Sequence, residues 1–194
     1  MLYTLTGKLA KLADNFVVLE NGGFGFKVLV SREIFGLLPE LGGEVKFFCF
    51  LHNREDSFEL YGFLEEEGLK LFDMLQTVSG VGPKTALGIL GIDRVENIMA
   101  AISEKRIELL TRTSGIGKKT AERIILELQS KINLPKTKGS TSAMDLNFEV
   151  EEGLAGLGYS RHQIRKALNE LSAETKTFEE RLKATLKILG KRKQ

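Results

Sequence analysis

A twelve-residue phrase occurs twice in this chain. Residues 79–90 read SGVGPKTALGIL and residues 114–125 read SGIGKKTAERII. The copies are offset by 35 residues, and Ser, both Gly, Lys, Thr, Ala and one Ile recur in register. Two copies fall short of the three or so that a solenoid needs, so the repeat predicts a duplicated unit and not an open array. Apolar residues precede each copy: Leu71, Phe72, Leu75 and Val78 before the first, Ile107, Leu109 and Leu110 before the second. Another apolar run follows each, opening at Thr85-Ala86-Leu87 and at Thr120-Ala121. Both flanks have helical spacing. Between them stands Gly-x-Gly, which opens backbone angles that a Cβ disfavours. The prediction is helix, tight hairpin, helix, twice.

The residues of the hairpin also define a chemistry. The second helix starts just after the glycines, so its first N–H groups lack carbonyl partners and its dipole favours an anion. Lys84, Lys118 and Lys119 add positive charge there, and Thr85 and Thr120 add hydroxyls. Gly80, Gly82, Gly115 and Gly117 leave the backbone open to close approach by a phosphodiester. Such contacts hold a nucleic acid without reading its sequence. The competing reading of one Gly-x-Gly is a plain turn between packed helices. Two copies with Lys and Thr at matching places weigh against it. A P-loop is excluded because Gly117-Lys118-Lys119-Thr120 lacks its spacing and its upstream Gly. A dinucleotide fingerprint is excluded because Thr stands where its third Gly belongs, after a helix and not a strand.

The rest of the chain divides into units. Residues 1–63 hold short β-rich runs at Leu2–Leu9, Phe16–Glu20, Gly25–Val30, Val45–Leu51 and Phe58–Phe63, with turn residues at Asp14-Asn15 and Asn21-Gly22-Gly23. Ser31–Leu38 reads as a short helix or turn. Five strands in this length suit a small Greek-key barrel of the OB type. Residues 64–133 are helical and carry both repeats. Residues 134–147, with Pro135 through Ser142 polar and aperiodic, read as a flexible linker. Residues 148–194 predict three helices: Val150, Leu154 and Leu157 on the first, Ser160 capping the second, and Thr177 with Glu180 opening the third. The fold class is therefore α+β and multidomain: barrel, tandem-hairpin helical domain, tethered three-helix unit. The Leu157-Gly158-Tyr159 corner resembles that of ubiquitin-associated (UBA-like) three-helix domains.

Charge is uneven along the chain. Residues 1–64 have 6 basic and 8 acidic groups (net −2), and residues 65–133 have 10 of each. Residues 148–194 have 10 basic and 7 acidic groups (net +3), within an overall net charge of +2. A nucleic-acid surface must therefore be local. The single Cys49, inside Phe47-Phe48-Cys49-Phe50-Leu51, forms no internal disulfide and suits a reducing, cytoplasmic setting. No apolar run approaches a membrane span and no signal-peptide pattern opens the chain.

Catalytic sets are not apparent. The two His, His52 and His162, lie in different units, and no Cys/His cluster suits a metal. No nucleophile elbow or ATP site is present, so neither cofactor nor metal is expected. Arg54-Glu55-Asp56 falls between the last two strands. A charged hairpin tip is ordinarily just a solvated turn. On a DNA-binding face, however, its carboxylates would repel phosphates and keep backbones apart, while Arg54 would attract one. Glu65-Glu66-Glu67 reads as a helix start, where acids offset the dipole.

The two phrases match the helix-hairpin-helix motif of DNA-binding proteins that do not read sequence. With their surroundings they resemble the RuvA family of Holliday junction branch-migration proteins. Gly7-Lys8-Leu9, Gly22-Gly23-Phe24-Gly25, Arg54-Glu55-Asp56 and Leu60-Tyr61-Gly62-Phe63 carry the likeness in the first unit. Ser79–Lys84 and Gly115–Arg123 carry it in the second. The resemblance implies a non-catalytic homotetramer, or an octamer of two such rings, on four-way junction DNA. It implies backbone contacts from the hairpin glycines, Lys84, Lys118, Lys119 and Arg123, and an acidic pin at Glu55 and Asp56; the residues themselves add Thr85, Thr120 and Arg54 as candidate DNA contacts. It also implies that the tethered unit binds a RuvB-type hexameric ATPase, with Ile164, Leu168 and Leu171 as candidates for that contact. A junction resolvase is a further implied member of the complex. The rival classes are a helix-hairpin-helix nuclease or glycosylase, and a protein-interaction scaffold whose glycines are only turns.

Overall fold

The computed structural model describes residues 2–55, 57–132, 141–171, 175 and 177–191. Five strands come first: β1 (Thr4–Leu12), β2 (Phe16–Asn21), β3 (Phe24–Val30), β4 (Glu44–Asn53) and β5 (Phe58–Phe63). They close a barrel in the order β1-β2-β3-β5-β4, with β4 returning to β1. All pairings are antiparallel except β3 with β5. A register shift between Leu9 and Lys11 bends β1, which pairs with β4 at one end and β2 at the other. Period-2 alternation points Leu5, Leu9, Val17, Leu19, Val28, Val30, Val45, Phe47 and Cys49 inward. Burial pushes the Cys49 thiol up to about 11, so it stays a protonated core group. Ser31–Leu38 resolves into a 3₁₀ turn over Glu33–Leu37.

The strand β5 is buried on both faces, and this joins barrel to helices. Leu60 faces the barrel core. Tyr61 and Phe63 face outward onto Phe72, at ring-centroid distances of 5.3 and 4.9 Å. Phe50 of β4 completes the aromatic cluster, 5.3 Å from Phe72. Phe72 lies on α1 (Glu66–Gln76), whose first turn carries Glu66 and Glu67 as the dipole argument expects. Gly62 is required by close approach, since a Cβ there would lie 2.4 Å from Val28 Cγ1.

Helices α2 (Pro83–Leu90), α3 (Val95–Ser103), α4 (Ile107–Leu110) and α5 (Lys118–Leu128) complete the repeat region. Both copies contribute to one core. Val78, Val81, Ala86 and Ile89 from the first pack in the same cluster as Leu109, Leu110, Ile116, Ala121 and Ile124 from the second.

The last unit is α6 (Thr141–Gly156), α7 (Arg161–Asn169) and α8 (Phe178–Lys191) around Val150, Leu154, Ile164, Ala167 and Leu189. Ser160 and Gln163 form a capping box at α7, and the Thr177 hydroxyl accepts from the Glu180 N–H. Gly158 ends the α6 corner at φ +87°. Two expectations are corrected. Residues 141–147, assigned to the linker, belong to α6, because Met144 is buried in the hairpin-domain core and anchors the helix start. Leu157, expected on the buried face of the first helix, is 70% exposed because it falls at the corner where the helix stops. The remainder of the expected linker, 134–140, lies outside the described residues.

Candidate nucleic-acid interface

The two hairpins have the same backbone. Gly80 and Gly115 have φ +89° and +85°, a region where a side chain is strained. Gly82 and Gly117 have φ/ψ −89/175° and −87/170°, extended values open to any residue. The residue between each pair of glycines, Val81 or Ile116, turns inward and is buried. Each hairpin closes through one bond: the Val81 N–H donates to the Val78 carbonyl at 3.0 Å, and the Ile116 N–H to the Thr113 carbonyl at 3.1 Å.

What the glycines face is decisive. A Cβ added at Gly80, Gly82, Gly115 or Gly117 would meet nothing within 4 Å. Positive φ accounts for Gly80 and Gly115. Neither φ nor packing accounts for Gly82 and Gly117. Both are N-cap residues, and without a side chain they leave the backbone open to approach from outside. Neither α2 nor α5 has a side-chain cap on its N-terminal N–H groups, so those donors remain for an anion. Lys118 and Lys119 are exposed beside them, and Thr85 and Thr120 are half-buried.

The hairpins hold each other. Arg123 Nη1 on α5 donates to the Ser79 carbonyl at the entrance of the first hairpin, at 3.0 Å. At the corresponding place in the first copy stands Gly88, where a Cβ would lie 2.9 Å from Thr113 Cγ2 at the entrance of the second. Each second helix thus touches the other hairpin's entrance, once by a long side chain and once by none. Arg123, expected as a DNA contact, here has a positioning bond.

Lys84 is tied to the barrel. Its Nζ lies 3.5 Å from Glu59 Oε1 on β5, and Arg54 Nη2 lies 3.2 Å from Glu59 Oε2. Tyr61 donates to the same carboxylate at 2.8 Å. That hydrogen bond, with Arg54 and Lys84, holds the Glu59 carboxyl below its ordinary value. Burial, with the Glu59 bond, pushes the Tyr61 hydroxyl up. Sequence reasoning missed Glu59, a lone acid in an alternating strand with no local pattern to mark it. Its role is to bring the hairpin lysine and the tip arginine to one carboxylate.

The tip itself lies between β4 and β5, with the Arg54 N–H donating to the Ser57 carbonyl at 2.9 Å. Glu55 is exposed there. Asp56 lies outside the described residues. On the C-terminal unit, Ile164 is fully buried in the three-helix core, and Leu168 and Leu171, which pack with that core, line one pocket with Ile34 and Leu37 of the 3₁₀ turn. Ile164 therefore holds the unit together and presents no surface to a partner. Among the described residues no group of His, Cys, Asp and Glu could hold a metal, and no helix is long and apolar enough to cross a membrane.

Three family models match in chain order. Residues 1–62 match the RuvA N terminal domain, 72–130 the SAM-like helix-hairpin-helix tandem, and 145–190 the RuvA C-terminal domain. A relative from Caldanaerobacter subterraneus, a Holliday junction branch migration complex subunit RuvA, is 37% identical over 98% of this chain and 100% of its own. The chain belongs to the RuvA family. RuvA subunits of the same description from Thermoanaerobacter sp. (strain X514) and Prosthecochloris aestuarii are 38% and 39% identical. They cover 98% and 93% of this chain, and 100% and 94% of their own lengths. The three matched segments fall on the barrel, the paired hairpins and the three-helix unit, so the RuvA likeness covers the whole architecture.

Proposed function

We propose that this chain binds four-way junction DNA as the non-catalytic subunit of a branch-migration complex, in recombination and DNA repair. The observation that carries the reading is the pair of hairpins with one backbone geometry and four glycines fronted by empty space. Two such grips on one rigid core engage the phosphates of one duplex arm without sequence readout. Glu55, with Asp56, supplies repulsion between the grips and the junction centre, which keeps strands apart where the arms meet. The relatives' names, which describe a branch migration complex subunit, support the same reading.

Four equivalent arms suit four copies, so the assembly is a homotetramer, or two of them face to face. The ATPase is a RuvB-type hexamer that the C-terminal unit engages, and a junction resolvase shares the complex. The setting is cytoplasmic. The deciding experiment compares binding to a four-way junction and to a matched linear duplex at equal salt. Junction preference, with affinity falling steeply as salt rises, is expected. Equal affinity for the two would sink the proposal. Native mass with and without junction DNA tests the copy number.

A further inference from the structure

The C-terminal unit is seated against the second hairpin through a carboxylate. Asp145 on α6 accepts from Arg112 Nη2 on Oδ1 at 2.7 Å and from Arg106 Nη2 on Oδ2 at 3.0 Å. The ring of Phe148, one turn on, lies 4.4 Å from the Arg112 guanidinium carbon. Burial opposes ionisation of Asp145, but the two arginines outweigh it and hold the carboxyl below its ordinary value. Arg106 has Glu108 as a second acidic partner. Arg112 immediately precedes the hairpin Thr113-Ser114-Gly115, and the matching place in the first copy is Thr77. The second grip therefore has an arginine that the first lacks. A groove of about 530 Å³ runs past it, with Lys84 and Ser114 of the two hairpins and Phe148 of α6 among its walls.

A carboxylate bridging two guanidinium groups offers what the non-bridging oxygens of a phosphodiester offer: two anionic acceptors in one plane. We propose that Arg112, supported by Arg106, is a further phosphodiester-binding site, occupied in this structure by Asp145. DNA on the second hairpin and the seated C-terminal unit then compete for the same arginine. Each weakens the other by the same factor, as linkage demands. Two other contacts of the seat end on carbonyls: Arg94 Nη2 donates to the Asn169 carbonyl at 3.1 Å, and Arg165 Nη1 to the Gly91 carbonyl at 3.0 Å, while Met144 is buried in the hairpin-domain core. DNA binding therefore loosens the seat at one end and makes the three-helix unit available to a partner. The inference rests on the hairpins being DNA grips.

The test uses the full chain, a labelled four-way junction and a salt series. Asp145→Asn should tighten binding about three- to tenfold, and Arg112→Ala should weaken it by a similar factor and reduce the salt slope by about one. In the Arg112→Ala background, Asp145→Asn should do nothing. Glu149→Gln, which removes an exposed charge from the same helix, should leave affinity unchanged. In the wild type, junction DNA should speed amide exchange across residues 144–150. A flat response to Asp145→Asn, or an equal response with and without Arg112, overturns the inference while leaving the junction-binding reading intact. A wild-type chain that shows no junction preference overturns both.

Discussion

Gly82 and Gly80 are two residues apart, and the structure predicts opposite consequences for replacing them with Ala. At Gly80 the backbone has φ +89°, so a Cβ costs about 1–2 kcal/mol of folding stability. At Gly82 the angles are ordinary and the added methyl meets nothing within 4 Å. Ala is a poorer N-cap than Gly by about 0.5–1 kcal/mol, while the stiffer unfolded chain returns about 0.4–1 kcal/mol. The net change in stability is within about 0.5 kcal/mol. Binding is another matter. A methyl projecting from Gly82 occupies the space through which a phosphate reaches the first N–H groups of α2. Losing one charge-assisted hydrogen bond costs about 1.5–3 kcal/mol, so junction affinity falls at least about tenfold. Urea unfolding reads the first quantity and fluorescence anisotropy with labelled junction DNA reads the second. Gly117→Ala should behave as Gly82→Ala does, because the second hairpin has the same angles and the same open front. The reasoning fails if Gly82→Ala destabilises the fold as much as Gly80→Ala does. It fails equally if a stable Gly82→Ala protein binds junction DNA as the wild type does.

Three further outcomes are expected. Arg123→Ala removes the bond to the Ser79 carbonyl and should cost about 1 kcal/mol of stability in a urea titration; an affinity loss in a fully stable variant would show direct DNA contact instead. Glu55→Gln with Asp56→Asn should keep or raise DNA affinity while narrowing the gap between junction and linear duplex, and collapse of affinity would refute the repulsion argument. Glu33, on the 3₁₀ turn, has an unpartnered buried Oε1, and burial followed by the nearby Asp93 raises its carboxyl to about 7 from 4.5. The folded chain then binds a proton that the unfolded chain has lost, so this group makes stability fall as pH rises from about 4.5 to about 7 and level off above. Glu33→Gln should flatten that fall, measured as the urea midpoint at about pH 5 and pH 8.

The parts of this molecule that were legible in the sequence are those whose physics is local. Gly-x-Gly with flanking helical periodicity defined both hairpins, since a left-handed turn followed by a helix start needs only neighbouring residues. Short β-rich runs between turn residues marked all five strands, with β5 matching from Phe58 to Phe63 and the others differing by a few residues at their ends. Ser160 and Thr177 marked helix starts because a cap acts across three residues. The rest depends on contacts far apart in the chain. Met144 anchors α6 in another unit's core, so a Ser/Thr-rich start that looks like linker is already helix. Ile164 has the apolar spacing of a docking face but points into its own unit. Glu59 gains importance only because the barrel fold brings Arg54 and Lys84 to it. Nothing adjacent to Asp145 announces Arg112, 33 residues earlier.

The reciprocal contact between the hairpins makes the pair a caliper. Arg123 fixes one jaw to the entrance of the other, and Gly88 lets the second approach without a side chain between them. With one apolar core beneath both, the span between the two sets of free N–H groups is set when the chain folds. The ordering cost of that span is met in folding and not at the moment of binding. If the hairpins grip DNA as proposed, discrimination by such a device is dimensional: it would admit a double helix whose strands stand the right distance apart, whatever bases lie between them.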